Sequence, residues 1–323
     1  MNNFIKYFYG IDIDKVIYNK KYYSFVYNGY LYRLYIYDDG VGDVKFLYDV
    51  NRKLVGNTLV SEIIINRDND VVSTYNGVSY ILLRIFSNVN KRITLDEISF
   101  LSRTLYRDGI NVDWGILRSK KSDYLEELIN ENGKKYPLIV DSFNYFVGMA
   151  ENAIGYFNSI GFDRNYKYVI SHKVIKVDDS VEVLYNPMNI IFDYRVRDVA
   201  EYIKNSFFNR NYNVFNELIL YLRRERLSLM EVKLLIARLL YPSFYFEMYE
   251  DILIDNKEEK ILMEIISRLD DYEDYLAQVI GFFKVNYDID EVLWLKRRIV
   301  GGNVWFGDCL DDLSHFYDLR LFI

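Results

Sequence analysis

The stretch Tyr168–Phe208, YVISHKVIKVDDSVEVLYNPMNIIFDYRVRDVAEYIKNSFF, decides how the rest of the chain is read. It carries His172, one of only two histidines, and Pro187, one of only three prolines. Tyr168–Ile170 reads as a strand, followed by a loop led by His172. Val181–Tyr185, rich in β-branched residues, reads as a second strand. Asn186–Asn189 is a proline-containing turn. A helix is expected from about Asp198, whose carboxylate suits a helix start. This span holds the densest run of interpretable polar residues in the chain, so they weigh most.

Working outward, the composition of the 323 residues is 51% hydrophobic and 27% charged, which is globular rather than disordered. That length holds two lobes with a real core. No apolar run approaches the ~20 residues of a membrane span. The opening MNNFIKYFYGIDIDK is interrupted by Asn, Lys and Asp and does not read as a secretory signal. One cysteine, Cys309, allows neither an internal disulfide nor a thiolate zinc site, and two distant histidines make no imidazole cluster. A cytoplasmic setting is expected. The net charge of −7 argues against nucleic acid as a partner. The 32 tyrosines carry no functional weight in this reading.

Before the central stretch, Asp14–Lys20, Tyr22–Tyr27 and Tyr30–Tyr37 read as strands, and Asp43–Val55 as a helix ended by Gly56-Asn57. Val60–Asn66, Asp70–Tyr75 and Val78–Phe86 follow as strands. Asn28-Gly29 and Asn76-Gly77 are two-residue hairpin turns, since both residue types tolerate positive φ. Thr94 and Glu97 form a capping box for a helix expected to run to about Arg107. Asp113–Asn130 and Asp141–Ile160 are further helical stretches. Beyond the central stretch, helices are expected over Asn205–Arg226, from the capping box Ser228/Glu231 to Leu240, and over Ser243–Ile254, Lys257–Lys284 and Asp288–Arg298. The single plausible boundary falls near Ser87–Ile93, giving domains 1–90 and 91–323.

Three segments, ENAI (Glu151–Ile154), SHKVI (Ser171–Ile175) and FDYRVRDVAEYI (Phe192–Ile203), together with the β-β-β-α-β-β-β order of the first ninety residues, carry a resemblance. The chain resembles the spore-coat kinase-like, YutH-type branch of the aminoglycoside phosphotransferase and choline kinase superfamily. The resemblance implies an α+β fold of two lobes, a small antiparallel-sheet lobe and a large mainly helical lobe with the catalytic loop. It implies a His-Gly-Asp loop in active members, whose Asp handles the attacking hydroxyl. Here His172 is followed by Lys173 and Val174, so an aliphatic side chain stands where the carboxylate should be. A second Asp should hold magnesium, where this chain has Asn186, a weak neutral ligand. Asp198 matches a structural aspartate that orders the loop. The third strand should offer a lysine to the phosphates, and it has only Arg33. No glycine-rich phosphate loop lies between the first two strands.

Several residues have two readings. Arg33 either contacts an anion or is a solvated strand residue, and the same holds for Lys20 and Lys21. Asp178, Asp179 and Glu182 either bind a divalent cation or form an ordinary Asp-Asp-Ser turn. His172 is either a packed, hydrogen-bonded histidine or a base. His315 and Cys309 are expected to be packing residues, and Asp308, Asp311 and Asp312 either bind a cation or form a solvated acidic face. If Asn189 echoes the asparagine of an active catalytic loop, Asp193 becomes a metal-ligand candidate. The expected function is a catalytically degenerate, kinase-like protein that binds a protein partner and belongs to the spore coat if the host sporulates. The alternatives are a phosphotransferase using ATP and Mg with rearranged carboxylates, and a non-catalytic small-ligand binder using the interlobe cleft.

Overall fold

The computed structural model describes residues 1–19, 22–37, 44–56, 61–86, 91–109, 113–132, 135–163, 165–296 and 298. Lys20, Lys21, Cys309, His315, Asp308, Asp311 and Asp312 lie outside the described residues. The chain forms two compact units, Met1–Ile110 with Arg164–Tyr202, and Asn111–Asp163 with Ile203–Ile323.

The first unit is built on a six-stranded antiparallel sheet in the order β1-β2-β3-β6-β4, with β5 also paired on β6. Its strands are β1 (Ile17–Asn19), β2 (Tyr22–Tyr27), β3 (Tyr30–Tyr37), β4 (Glu62–Ile64), β5 (Ser73–Tyr75) and β6 (Val78–Ile85). Both expected hairpins form. Asn28 and Gly29 have φ of 49° and 79°, Asn76 and Gly77 of 50° and 77°, the left-handed pairs a tight hairpin demands. The two-residue period of the strands then sorts side chains by face. Phe25, Tyr32, Leu34, Tyr80 and Leu82 pack with Phe4 and Ile5 of α1 (Asn2–Tyr9). Ile63, Ile81, Leu83 and Ile85 pack with Leu47 of α2 (Val44–Leu54), and the half-buried Leu31, Tyr35 and Met188 join them. Arg33, paired with Leu83 across the ladder, shares this second face. No sequence expectation covered α1, which caps its C-terminus with Gly10 at φ 70°.

A smaller antiparallel sheet, β7 (Tyr106–Asp108), β8 (Lys167–His172) and β9 (Ile190–Asp193), completes this unit, with α3 (Leu95–Ser102) before it. Two expectations change here. The helix expected to reach Arg107 stops at Ser102. The hydroxyls of Ser102 and Thr104 bond back to the carbonyls of Ser99 and Leu101, and the chain leaves as β7. Val181–Tyr185 is not a strand. Val181–Val183 is a 3-10 turn, with N–H groups reaching three residues back, and it buries Val181, Leu184 and Tyr185. The partner of β8 is instead β9, with His172 opposite Ile190 and Val169 opposite Asp193.

The second unit is helical: α4 (Trp114–Asn132), α5 (Pro137–Asn158), α7 (Val214–Arg224), α8 (Leu229–Leu240), α9 (Ser243–Asp255), α10 (Leu262–Ile266) and α11 (Leu269–Asn286). Between the units in sequence, α6 (Arg197–Phe208) starts in the first and ends in the second. Pro137 sits at the first turn of α5, where its missing N–H costs nothing. Phe146 of α5 stacks on Tyr245 of α9 at 3.6 Å, and α8 is buried on nearly every side. The Ser228/Glu231 capping box closes in both directions. The single helix expected over Asn205–Arg226 is two, because Arg210 takes φ 61° and Asn211 accepts from the Asn213 N–H in a turn. Likewise Lys257–Lys284 is interrupted at Ser267, and the helix expected over Asp288–Arg298 begins later, with a 3-10 turn at Leu293–Leu295. Among the described residues no helix is long and apolar enough to cross a membrane.

Candidate functional site

The site is built where β8 ends. His172 is 1% exposed. Its Nδ1 lies 2.7 Å from Asp198 Oδ2, and its Nε2 lies 2.9 Å from the carbonyl oxygen of Leu184. Its backbone N–H donates to Asp198 Oδ1 at 3.1 Å. Both ring nitrogens thus face acceptors. Asp198 sits in the first turn of α6, where the helix dipole favours a carboxylate. It meets His172 with both oxygens, one at the ring and one at the backbone N–H. The packed, hydrogen-bonded reading of His172 matches this geometry.

Arg197, which no sequence argument singled out, is the hub of the loop. Its Nε donates to the His172 carbonyl at 3.0 Å, its Nη2 to the Lys173 carbonyl at 3.3 Å, and its Nη1 to Asp193 Oδ2 at 2.9 Å. Burial alone would lower its pKa, but the charges of Asp193, Asp198 and Glu201 outweigh that and hold it raised. The other oxygen of Asp193 accepts from the Tyr194 N–H at 2.6 Å. The one carboxylate at the end of β9 is therefore already charge-balanced. The sequence signal that could have found Arg197 is its place one residue before Asp198 and four after Asp193.

The loop after His172 is held by Asn189. Its carbonyl accepts from the Lys173 N–H at 2.8 Å, and its side-chain oxygen from the Val174 N–H at 3.1 Å. Its amide donates to the carbonyls of Val174 and Val183. Asn189 thus acts as a clamp on this loop. Val174 itself is 48% exposed. Asn186 caps the Pro187–Asn189 turn through the Met188 N–H and donates to the Tyr35 hydroxyl at 3.3 Å. Asp178 and Asp179 lie in a turn closed by the Asp179 N–H on the Lys176 carbonyl. Glu182 is drawn away from them. It faces Arg33 of β3 in a forked ion pair, with Arg33 Nη2 donating to Oε2 at 3.1 Å and Nη1 to Oε1. Burial opposes the Arg33 charge, yet Tyr35 and Glu182 keep its pKa raised. Arg33 is thus neither solvated nor open to an added anion. Among the described residues no three His, Cys, Asp or Glu side chains come together as a metal cluster. In the second unit, Glu151 and Asn152 lie on α5, with the Asn152 amide donating to its own helix at Gly148.

A sheet-rich lobe with an inserted helix, a histidine strand anchored by the aspartate that opens the next helix, and a helical remainder define a kinase-like protein of the aminoglycoside phosphotransferase type. Solved structures agree at the level of fold. An aminoglycoside phosphotransferase from Alicyclobacillus acidocaldarius matches with TM-score 0.61 at 12% identity, over 85% of this chain and 94% of its own. Spectinomycin phosphotransferase APH(9)-Ia matches with TM-score 0.53 at 14% identity, over 91% and 95%. The chain belongs to the family described as "Spore coat putative kinase YutH", whose model matches residues 2–279. A curated relative, the endospore coat-associated protein YutH of Bacillus subtilis (strain 168), is 25% identical over 271 residues, 74% of this chain and 80% of that protein.

Proposed function

We propose that this YutH-family chain is a pseudokinase: a kinase-like body that no longer transfers phosphate and works by binding a protein partner in the spore coat. The observation that carries the reading is the Asp193–Arg197 pair. A carboxylate needed for magnesium must be free to coordinate, and this one is committed to a half-buried guanidinium at 2.9 Å and to a backbone N–H. Such charge-assisted bonds are each worth about 1.5–3 kcal/mol, which a cation would have to displace. Val174 adds to it, since an aliphatic side chain neither accepts a proton nor orients a hydroxyl. The relative's coat association supports the same location here, reached from the cytoplasm. The net charge of −7 speaks against nucleic acid as partner.

The competing reading is a phosphotransferase using ATP and Mg through Asp193, which stands at the end of the strand beside His172. Calorimetric titration of the full chain with ATP and MgCl2, and a turnover assay with a panel of small hydroxylated acceptors, separate the two. The expected result is no magnesium-dependent turnover. Turnover that disappears in Asp193→Asn would establish the competing reading. For the coat role, a fluorescent fusion in a sporulating host is expected to ring the forespore, and a diffuse signal would count against it.

A further inference from the structure

Arg33 is seated as an anion-binding residue, and the chain supplies the anion. Its guanidinium lies over the Tyr22 ring at 4.7 Å, beside the half-buried Tyr35, and presents its two terminal nitrogens to the two oxygens of Glu182. A fork of this kind fits a phosphate as well as a carboxylate. The side chains of Arg33 and Glu182 keep only 20% and 16% of their surface in contact with solvent. The segment that delivers Glu182 is tied down on both sides. The Val181 N–H donates to the Lys91 carbonyl at 2.7 Å, and Arg92 and Ser180 form a β-bridge. The Ser61 N–H donates to the Tyr185 carbonyl at 3.1 Å, the Tyr185 hydroxyl to Glu97 at 2.9 Å, and Asn186 to Tyr35.

We propose that Glu182 is a built-in occupant of an anion site on β3, and that the Arg33–Glu182 pair latches the sheet to the 180–189 segment against a polyphosphate ligand. The proposal rests on the pseudokinase reading above and deepens it by saying what fills the place. A tethered carboxylate competes at an effective concentration on the order of millimolar, so weak external anions lose to it. Removing its charge while keeping its shape should leave Arg33 open.

The test is calorimetric titration of inorganic pyrophosphate, without magnesium, into wild type, Glu182→Gln and Arg33→Gln/Glu182→Gln. Pyrophosphate is expected to bind Glu182→Gln roughly tenfold or more tighter than wild type, and the gain is expected to vanish in the double variant. Equal affinity in wild type and Glu182→Gln, or a gain that survives loss of Arg33, overturns the proposal. Hydrogen exchange gives an independent reading on the latch. The Val181 and Ser61 amides are expected to exchange several-fold faster in both Glu182→Gln and Arg33→Gln, and unchanged protection overturns the latch. ATP turnover by wild type would instead end the pseudokinase reading, an outcome distinct from either.

Discussion

Two ends of one loop have different fates. At its base, His172 and Asp198 keep a full set of partners and are almost wholly buried. At its tip, Lys173 and Val174 are exposed, and their backbone groups bond to Asn189 and Arg197. The difference separates what holds a kinase-like loop in place from what performs chemistry on it. The base holds the loop whatever residues occupy the tip. The tip carries no comparable energetic duty.

The sharpest way to break the comparison is at the base. Asp198→Asn keeps the shape but removes the charge facing His172 and Arg197. Breaking one partner of a buried charged network costs about 3–5 kcal/mol, and chemical denaturation should show a loss of that order. A loss under about 1 kcal/mol, the scale of an exposed pair, would mean that the base is no anchor. Next in size is Arg197→Gln, which leaves Asp193 with one partner fewer. A loss of about 2 kcal/mol is expected from its charge-assisted bonds, and magnesium should now bind measurably in calorimetry where wild type gives no heat.

Much of the scaffold was legible in the sequence because it rests on local chemistry. Asn28-Gly29 and Asn76-Gly77 specify hairpins through the φ each residue tolerates, and Ser228 with Glu231 specifies a helix start. The helix α1 was not legible because its N-terminus lacks a side-chain cap to announce it. Val181–Tyr185 misled because β-branched composition was overridden by burial at a spacing of three, Val181 against Leu184. In the site, the RDVAEY pattern drew attention to Asp198, whose carboxylate meets His172. Glu182 was read with its sequence neighbours Asp178 and Asp179, yet its partner lies 149 positions away on β3. Pairing at that distance is decided by topology, which a single sequence does not display.

Capping offers a smaller and cleaner contrast. Both boxes were expected from sequence, but only one closes. Ser228 accepts from the Glu231 N–H, and Glu231 reaches back to the Ser228 N–H. Thr94 accepts from the Glu97 N–H at 3.3 Å, while the Glu97 carboxylate goes to Lys91 and Tyr185. Ser228→Ala is therefore expected to cost about 1 kcal/mol, and Thr94→Ala about half of that. Equal losses in thermal denaturation would show that the reciprocal bond adds nothing.

The smallest stability effect belongs to the loop tip and carries the most functional information. Val174→Ala removes two methyl groups from a half-exposed side chain, so its stability should stay within about 0.5 kcal/mol of wild type. Val174→Asp should be tolerated equally well, because the new carboxylate meets water and its backbone bonds to Asn189 are untouched. On the pseudokinase reading it should also remain without ATP turnover, since Arg197 still holds Asp193 and Glu182 still holds Arg33. Activity gained by that one substitution would mean that the rest of the machinery is intact and that a single aliphatic side chain silences it. Activity gained only when Val174→Asp is combined with Arg197→Gln and Glu182→Gln would mean that three separate neutralisations accumulated, each placed where a charge once faced a ligand.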